Sequence, residues 1–241
     1  MDAVFAHITD LHLDDSLAKR CGIDARKNIQ QILNDIRSRG IGTLVMTGDF
    51  GSSDSLGWLF DLIRSLGMAH YITLGNHDEV GSFREIPDVP ERLRGSELSY
   101  TIETGDNAFI FIDTSSGVVG PAQLRWLGEQ IVDARKRIVL FSHHPVFDCG
   151  NTAMDRLYHL KNREEVGRLL LESGKAITLF CGHYHTSHMQ TIGGITQYVT
   201  QSALVQVKRD SEIIELESLR YGYRTVKIDG GTIITKKIEF A

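Results

Sequence analysis

Cysteine is scarce in this 241-residue chain: three residues, Cys21, Cys149 and Cys181, and no C-x-x-C pair. That argues against a disulfide framework and a thiolate zinc site, and fits a reducing compartment. No apolar run reaches the roughly 18 residues needed to cross a bilayer, and the N-terminal residues lack the basic-then-apolar order of a secretion signal. A soluble, cytoplasmic protein without a membrane partner is expected. Basic residues are not massed: 26 Lys and Arg are scattered among 31 Asp and Glu, and the longest basic run, Arg135-Lys136-Arg137, falls where a solvated turn is expected. Without a basic face, nucleic acid is not an expected partner. Proline is rare, four in all, and no linker, repeat or low-complexity stretch divides the chain. One domain over 1–241 is expected, long enough to bury a substantial core.

What is present is an alternation of short apolar runs with amphipathic helix patterns, the sequence form of βαβ units. A strand-like run over 3–8 is followed by Ile29, Ile32, Leu33 and Ile36 at helical spacing, with Asp24 placed to cap that helix and Gly40 to stop it. A strand over 43–46, a helix carrying Leu59, Leu62, Ile63 and Leu66, and a strand over 70–74 repeat the unit. Strands over 98–102 and 108–112, a helix opened by Pro121, a strand over 138–141, a helix around 164–171 and a strand over 176–180 follow. Beyond residue 187 the chain turns β-rich, with runs over 188–192, 195–199, 222–228 and 232–238 separated by signals such as Gly193-Gly194 and Asp229-Gly230-Gly231. The segment 187–241 is expected to form hairpins that complete a second sheet, and its stretch 213–240 offers an edge for a homodimer.

Five polar motifs each follow a predicted strand: Asp10-Leu11-His12, Gly48-Asp49, Gly75-Asn76-His77-Asp78, Ser142-His143-His144-Pro145 and Gly182-His183-Tyr184-His185. Loops beyond the carboxyl ends of strands converge on one crevice in open α/β sheets, so five such clusters can build one site. Their aspartates, histidines and asparagine form a nitrogen and oxygen donor set suited to divalent manganese, iron, zinc or cobalt. In D-x-H and H-x-H, residues i and i+2 point the same way on an extended backbone, so each pair can face one ion. Gly48, Gly75 and Gly182 each precede a candidate ligand, where the chain must turn sharply or let backbone approach closely.

Taken together, the motifs resemble the calcineurin-like metallophosphoesterase superfamily, whose pattern runs D-x-H, G-D, G-N-H-[DE], H and G-H-x-H; the resemblance spans residues 5–186. It implies an α/β fold built as a four-layer αββα sandwich with two mixed β-sheets. It also implies two divalent metal ions, the first held by Asp10, His12 and His185 and the second by Asn76, His143 and His183, with Asp49 bridging them. His77 would stabilise or protonate the departing oxygen, and Asp78 would orient His77. The implied reaction is attack of a metal-bridging hydroxide on phosphorus, in line with the leaving alkoxide.

Absences narrow the substrate. The protein Ser/Thr phosphatases carry arginines in and after G-D, where this chain has Phe50-Gly51-Ser52-Ser53-Asp54, and purple acid phosphatases place a tyrosine where Ser52 stands. A pyrophosphohydrolase of the lipid-A pathway would read G-N-R-D, but position 77 is histidine. The chain is more similar to bacterial class III cyclic-nucleotide phosphodiesterases and the related glycerophosphodiesterases. It shares with them His143-His144-Pro145, the helix core Gln123-Leu124-Arg125-Trp126-Leu127 and a late Gly222-Tyr223-Arg224; Trp126, Leu127 and Tyr223 also suit core positions. The expected substrate is a small phosphodiester such as a cyclic nucleotide or a glycerophosphodiester. A broad-specificity phosphomonoesterase is the alternative within the same chemistry, and a non-catalytic scaffold the alternative outside it.

Overall fold

The computed structural model describes residues 3–241. Chain order begins β1 (Ala3–Ile8), α1 (Ser16–Cys21), α2 (Ala25–Ser38), β2 (Thr43–Thr47), α3 (Ser53–Ser65) and β3 (Ala69–Thr73). A 3-10 turn at Val80–Phe83, α4 (Val89–Arg92) and two short strands, β4 (Leu93–Arg94) and β5 (Glu97–Leu98), lead to β6 (Tyr100–Thr104) and β7 (Asn107–Phe111). Next come α5 (Pro121–Asp133), β8 (Arg137–Phe141), α6 (Thr152–Leu157), α7 (Arg163–Glu172) and β9 (Ile177–Cys181). The remaining elements are strands: β10 (His188–Ile192), β11 (Ile195–Val199), β12 (Gln206–Val207), β13 (Leu216–Ser218), β14 (Tyr221–Asp229) and β15 (Thr232–Phe240).

Two mixed sheets result. The first has the order β15-β14-β1-β2-β3 and the second β10-β11-β9-β8-β7-β6. Strands β1, β2 and β3 are parallel, as are β7, β8 and β9, because helices return the chain between them; β11 also runs parallel to β9, reached through the antiparallel β10. Asp24 accepts the Lys27 N–H as the cap of α2, and the face of Ile29, Ile32, Leu33 and Ile36 is buried against the first sheet. Trp126, Leu127 and Ile131 of α5 and Val166 and Leu170 of α7 cover the outer face of the second. Between the sheets lies an aromatic layer, in which the Phe5 ring of β1 meets Phe109, Phe141 and Phe180 at 5.5, 5.7 and 5.8 Å, edge to face. The four-layer αββα sandwich expected from the resemblance is therefore present.

One expectation needs correction. Of the β-rich segment 187–241, only β10 and β11 extend the second sheet; β14 and β15 join the first, with β14 antiparallel to β1 from Ala3↔Ile228 to His7↔Arg224. The reason is that β1 would otherwise be an open edge with unpaired amides. The alternation of β14 suits that place: Tyr221 and Tyr223 reach outward to Gln31 and Asp35 of α2, while Gly222 and Arg224 face residues 187–201 of the second sheet and its loops. Among the described residues, no helix is long and apolar enough to cross a membrane.

Candidate metal centre

All five motifs sit at the carboxyl ends of parallel strands, and hydrogen bonds lace the loops together. Asp10 N–H donates to the Gly48 carbonyl at 3.1 Å, His12 N–H to that of Asp49 at 2.9 Å, and Gly182 N–H to that of His143 at 2.9 Å. Glycine is required where these loops touch. A Cβ on Gly75 would stand 2.2 Å from Asp49 Oδ1, and one on Gly182 would stand 1.9 Å from Thr9 Oγ1 and 2.6 Å from Asp10 Oδ2.

The extended backbone assumed for D-x-H and H-x-H is not what forms. Asp10, His12, Asp49, His183 and His185 all have positive φ, between +47° and +68°, and they make up five of the seven such non-glycine residues among those described. Left-handed backbone costs a non-glycine residue about 1–3 kcal/mol, and its concentration here marks a site whose geometry the fold enforces. Asp10 and His12 still face one group. His183 and His185 do not: His185 joins Asp10 and His12, whereas His183 joins Asp49 and His143, the candidate ligand atoms of each trio lying within 4.8 Å of one another.

These six side chains are buried. In one trio His12 Nε2 lies 3.1 Å from His185 Nε2, and the latter lies 3.5 Å from Asp10 Oδ1. In the other, His143 Nε2 lies 3.1 Å from His183 Nδ1, 3.2 Å from Asn76 Oδ1 and 3.3 Å from Asp49 Oδ2. Asp49 Oδ2 is also 3.7 Å from His12 Nε2, so one carboxylate faces both groups. Asn76 and His77 are exposed at the edge, and the His77 ring lies 5.4 Å from that of His12. The imidazole of His144 is turned instead toward Thr114 Oγ1 at 2.9 Å and joins neither trio.

The far side of three imidazoles fixes what the near side offers. His143 Nδ1 faces the Thr47 carbonyl at 2.6 Å and His183 Nε2 the Tyr158 carbonyl at 2.8 Å, so each of those nitrogens carries a proton. In their neutral forms, His143 and His183 then point bare lone pairs at each other, beside the oxygens of Asn76 and Asp49. Such a cluster of acceptors without a donor is what a cation fills, and the backing carbonyls orient the rings as metal-bound imidazoles are normally oriented. His12 is backed by Asp15 Oδ2 at 2.5 Å, and His185 Nδ1 is buried without a hydrogen-bond partner among the described residues. The donor set thus fits two divalent ions of the borderline class.

The same crowding of charge shifts the protonation equilibria of these groups. Burial works against a charged His143, yet the Asp49 carboxylate more than offsets it and raises it to about 9. Burial also opposes ionisation of Asp10, and His185 and His143 override it, lowering Asp10 to about 2. For His183, burial and the neighbouring His143 act together and bring it down to about 3. Asp78 is raised to about 7, first by burial and then by the Asp49 charge.

Asp78 does not orient His77 as expected. Its Oδ2 accepts the N–H groups of Asp49 and Gly75, both at 2.8 Å, and its Oδ1 accepts that of Phe50 at 2.9 Å. With both oxygens taken by backbone, it ties the β2 and β3 loops together. The sequence reading missed Asp15, whose signal is an aspartate three residues after His12 at a helix start, and the carbonyls of Thr47 and Tyr158, which leave no signal in residue type. Asp54, in the first turn of α3, belongs to neither trio.

A cavity of about 530 Å³ opens over the site, and its lining combines His12, Asp49, Asn76, His77, His183 and His185 with Leu17, Met154, Tyr158, Val207, Ile214 and Leu216. Arg20 is the cation among its lining residues.

Comparison with known proteins extends this picture. The sequence model described as calcineurin-like phosphoesterase matches residues 3–187. A protein of Fibrobacter succinogenes named a probable cyclic nucleotide phosphodiesterase is 27% identical over 237 residues, covering 97% of this chain and 92% of its own. The 3',5'-cyclic adenosine monophosphate phosphodiesterase CpdA of Escherichia coli is 26% identical, with 95% and 86% covered. Among solved structures, a dimetal phosphatase from Danio rerio superposes with a TM-score of 0.69 at 14% identity, over 97% of this chain and 98% of that one, a likeness of fold.

Proposed function

The chain belongs to the calcineurin-like phosphoesterase family, a hydrolytic one, and on that premise we propose that it hydrolyses a small phosphodiester with two divalent metal ions. The observation that carries the reading is the pair of buried acceptor groups that share Asp49. Asp10, His12 and His185 would hold one ion and Asn76, His143 and His183 the other, with Asp49 facing both groups. When bound, two such ions neutralise charge on the phosphate oxygens and bring a water's pKa toward neutrality.

The chain's own residues do the rest. The Asp49 carboxylate is held by the His77 N–H at 3.0 Å and that of Asp10 by the His183 N–H at 3.0 Å, so neither swings when substrate enters. His77 stands at the cavity edge beside His12, where its imidazole stabilises or protonates the departing alkoxide. The apolar lining residues cover the organic part of the substrate and limit water at the reacting face.

Two observations favour a diester over a monoester: the names of the relatives, and a cavity whose apolar lining residues accept organic groups while, among its lining residues, Arg20 is the one Lys or Arg available to a phosphate dianion. Turnover of bis(p-nitrophenyl) phosphate against p-nitrophenyl phosphate, after loading with manganese, tests this. Faster hydrolysis of the monoester overturns it in favour of a phosphomonoesterase.

A further inference from the structure

The reaction leaves the Gly222-Tyr223-Arg224 motif of β14 unexplained. Packing accounts for its first two residues: a Cβ on Gly222 would meet the Ile238 carbonyl at 2.0 Å, and Tyr223 is fully buried with its hydroxyl donating to Asp35. Arg224 is another matter. It is 6% exposed, and no carboxylate pairs with it among the described residues. Instead Nε donates to Thr200 Oγ1 at 3.1 Å, Nη1 to Thr235 Oγ1 at 3.1 Å, and Nη2 to Ser187 Oγ at 3.0 Å and the Val199 carbonyl at 3.2 Å. Burying a cation without a counter-ion costs several kcal/mol, so its neutral partners are what the arrangement serves.

Those partners lead to both halves of the site. Ser187 lies two residues past His185, and the Thr200 N–H is bonded to the carbonyl of Cys181, two residues before His183. From Thr200 Oγ1 the chain of bonds runs to His7 Nδ1 at 2.8 Å, and from His7 Nε2 to Thr47 Oγ1 at 2.9 Å. Thr47 is the hub: its carbonyl accepts the His143 Nδ1 proton at 2.6 Å and the Thr9 hydroxyl at 3.0 Å, next to Asp10. A neutral imidazole, with one N–H and one lone pair, is the group that can satisfy a hydroxyl on each side. Burial and the Arg224 charge keep His7 in that form.

Resting on the two-metal reading above, we propose that Arg224, Thr200 and His7 are positioning residues: a buried relay that crosses from one sheet to the other and sets the spacing between His143 and the His183–His185 loop. Its function is to hold the second ion's ligands at the right distance from the first. None of the three touches substrate.

The test is calorimetric titration of manganese into the metal-free full chain, with elemental analysis after gel filtration and circular dichroism to confirm folding. Wild type takes two equivalents. Arg224→Met and Thr200→Val, in their folded form, bind the second equivalent about 10- to 100-fold more weakly, while Thr235→Val, which removes only the outer Arg224 contact, keeps wild-type affinity. A merely structural role would lower the metal-free unfolding midpoint and leave both affinities of the folded protein unchanged. Wild-type affinity for both equivalents in either variant overturns the proposal, and Thr200→Val decides it if Arg224→Met does not fold. A wild-type chain that takes fewer than two equivalents overturns the two-metal reading beneath it instead.

Discussion

Gly75→Ala places one methyl group where the site is tightest. The new Cβ would lie 2.2 Å from Asp49 Oδ1 and 2.5 Å from Asp49 N, about 1 Å short of the 3.4 Å at which ordinary contact begins. Two escapes exist. If the Asp49 carboxylate turns away, it loses the His77 N–H bond at 3.0 Å and its place 3.3 and 3.7 Å from His143 and His12. If the β3 loop backs off, the Gly75 N–H bond to Asp78 goes, and Asp78 also holds Asp49 and Phe50. A displacement of about 1 Å at the reacting centre costs on the order of 10²-fold in rate, or about 2.7 kcal/mol of barrier. Overpacking costs the fold about 1–3 kcal/mol, which in a chain of this size lowers Tm by about 2–4 °C per kcal/mol. The assay is kcat/KM on bis(p-nitrophenyl) phosphate with metal content by elemental analysis, and a variant with wild-type turnover and two ions refutes the reasoning. Gly57→Ala is the contrast: Gly57 is exposed within α3 with nothing within 4 Å of a new Cβ. It should gain about 0.5–1 kcal/mol in stability and leave turnover unchanged.

Three further outcomes are expected. Asp49→Asn removes the carboxylate that approaches both trios most closely, so both metal equivalents should weaken by more than about 10-fold in calorimetry; loss of a single equivalent would place Asp49 in one trio only. His77→Ala should keep two ions per chain and lower kcat about 10²- to 10⁴-fold; loss of an ion would move His77 among the ligands. His7, whose usual value of 6.5 is lowered to about 3 by burial and then by Arg224, stays neutral in the fold while it takes a proton when unfolded. Its contribution to stability is therefore complete above about pH 6.5 and is lost as pH falls toward 3. Between pH 7 and 5, urea unfolding of the metal-free His7→Gln variant should fall by about 2 kcal/mol less than wild type, and parallel pH profiles would contradict this.

The convergence of the candidate ligands was legible because each motif pairs an unusual residue type with a strand end, and five such coincidences meet through topology. Less was legible where backbone conformation or distant pairing decides. Residue types cannot report that His183 and His185 take positive φ, and so the division of the H-x-H pair between the two trios appears only in three dimensions. The docking of β14 on β1, more than 200 residues apart in sequence, depends on an edge left open by the rest of the sheet. Helices α1 and α6, six residues each, are too short to show an apolar period. His7 escaped notice because a single polar residue inside an apolar strand carries no motif, although it proves to be bonded at both nitrogens. Asp78 was recognised but misassigned, because its place in G-N-H-D suggested a partner for His77 while the fold spends both its oxygens on backbone amides.

The central claim is that two ions share Asp49, and anomalous diffraction from crystals grown with manganese, combined with elemental analysis of the same protein, tests it most directly. The account predicts two anomalous peaks, one among Asp10, His12 and His185 and one among Asn76, His143 and His183, with an Asp49 oxygen on both. A single peak, or a peak ligated by His77 in place of His143, would contradict it.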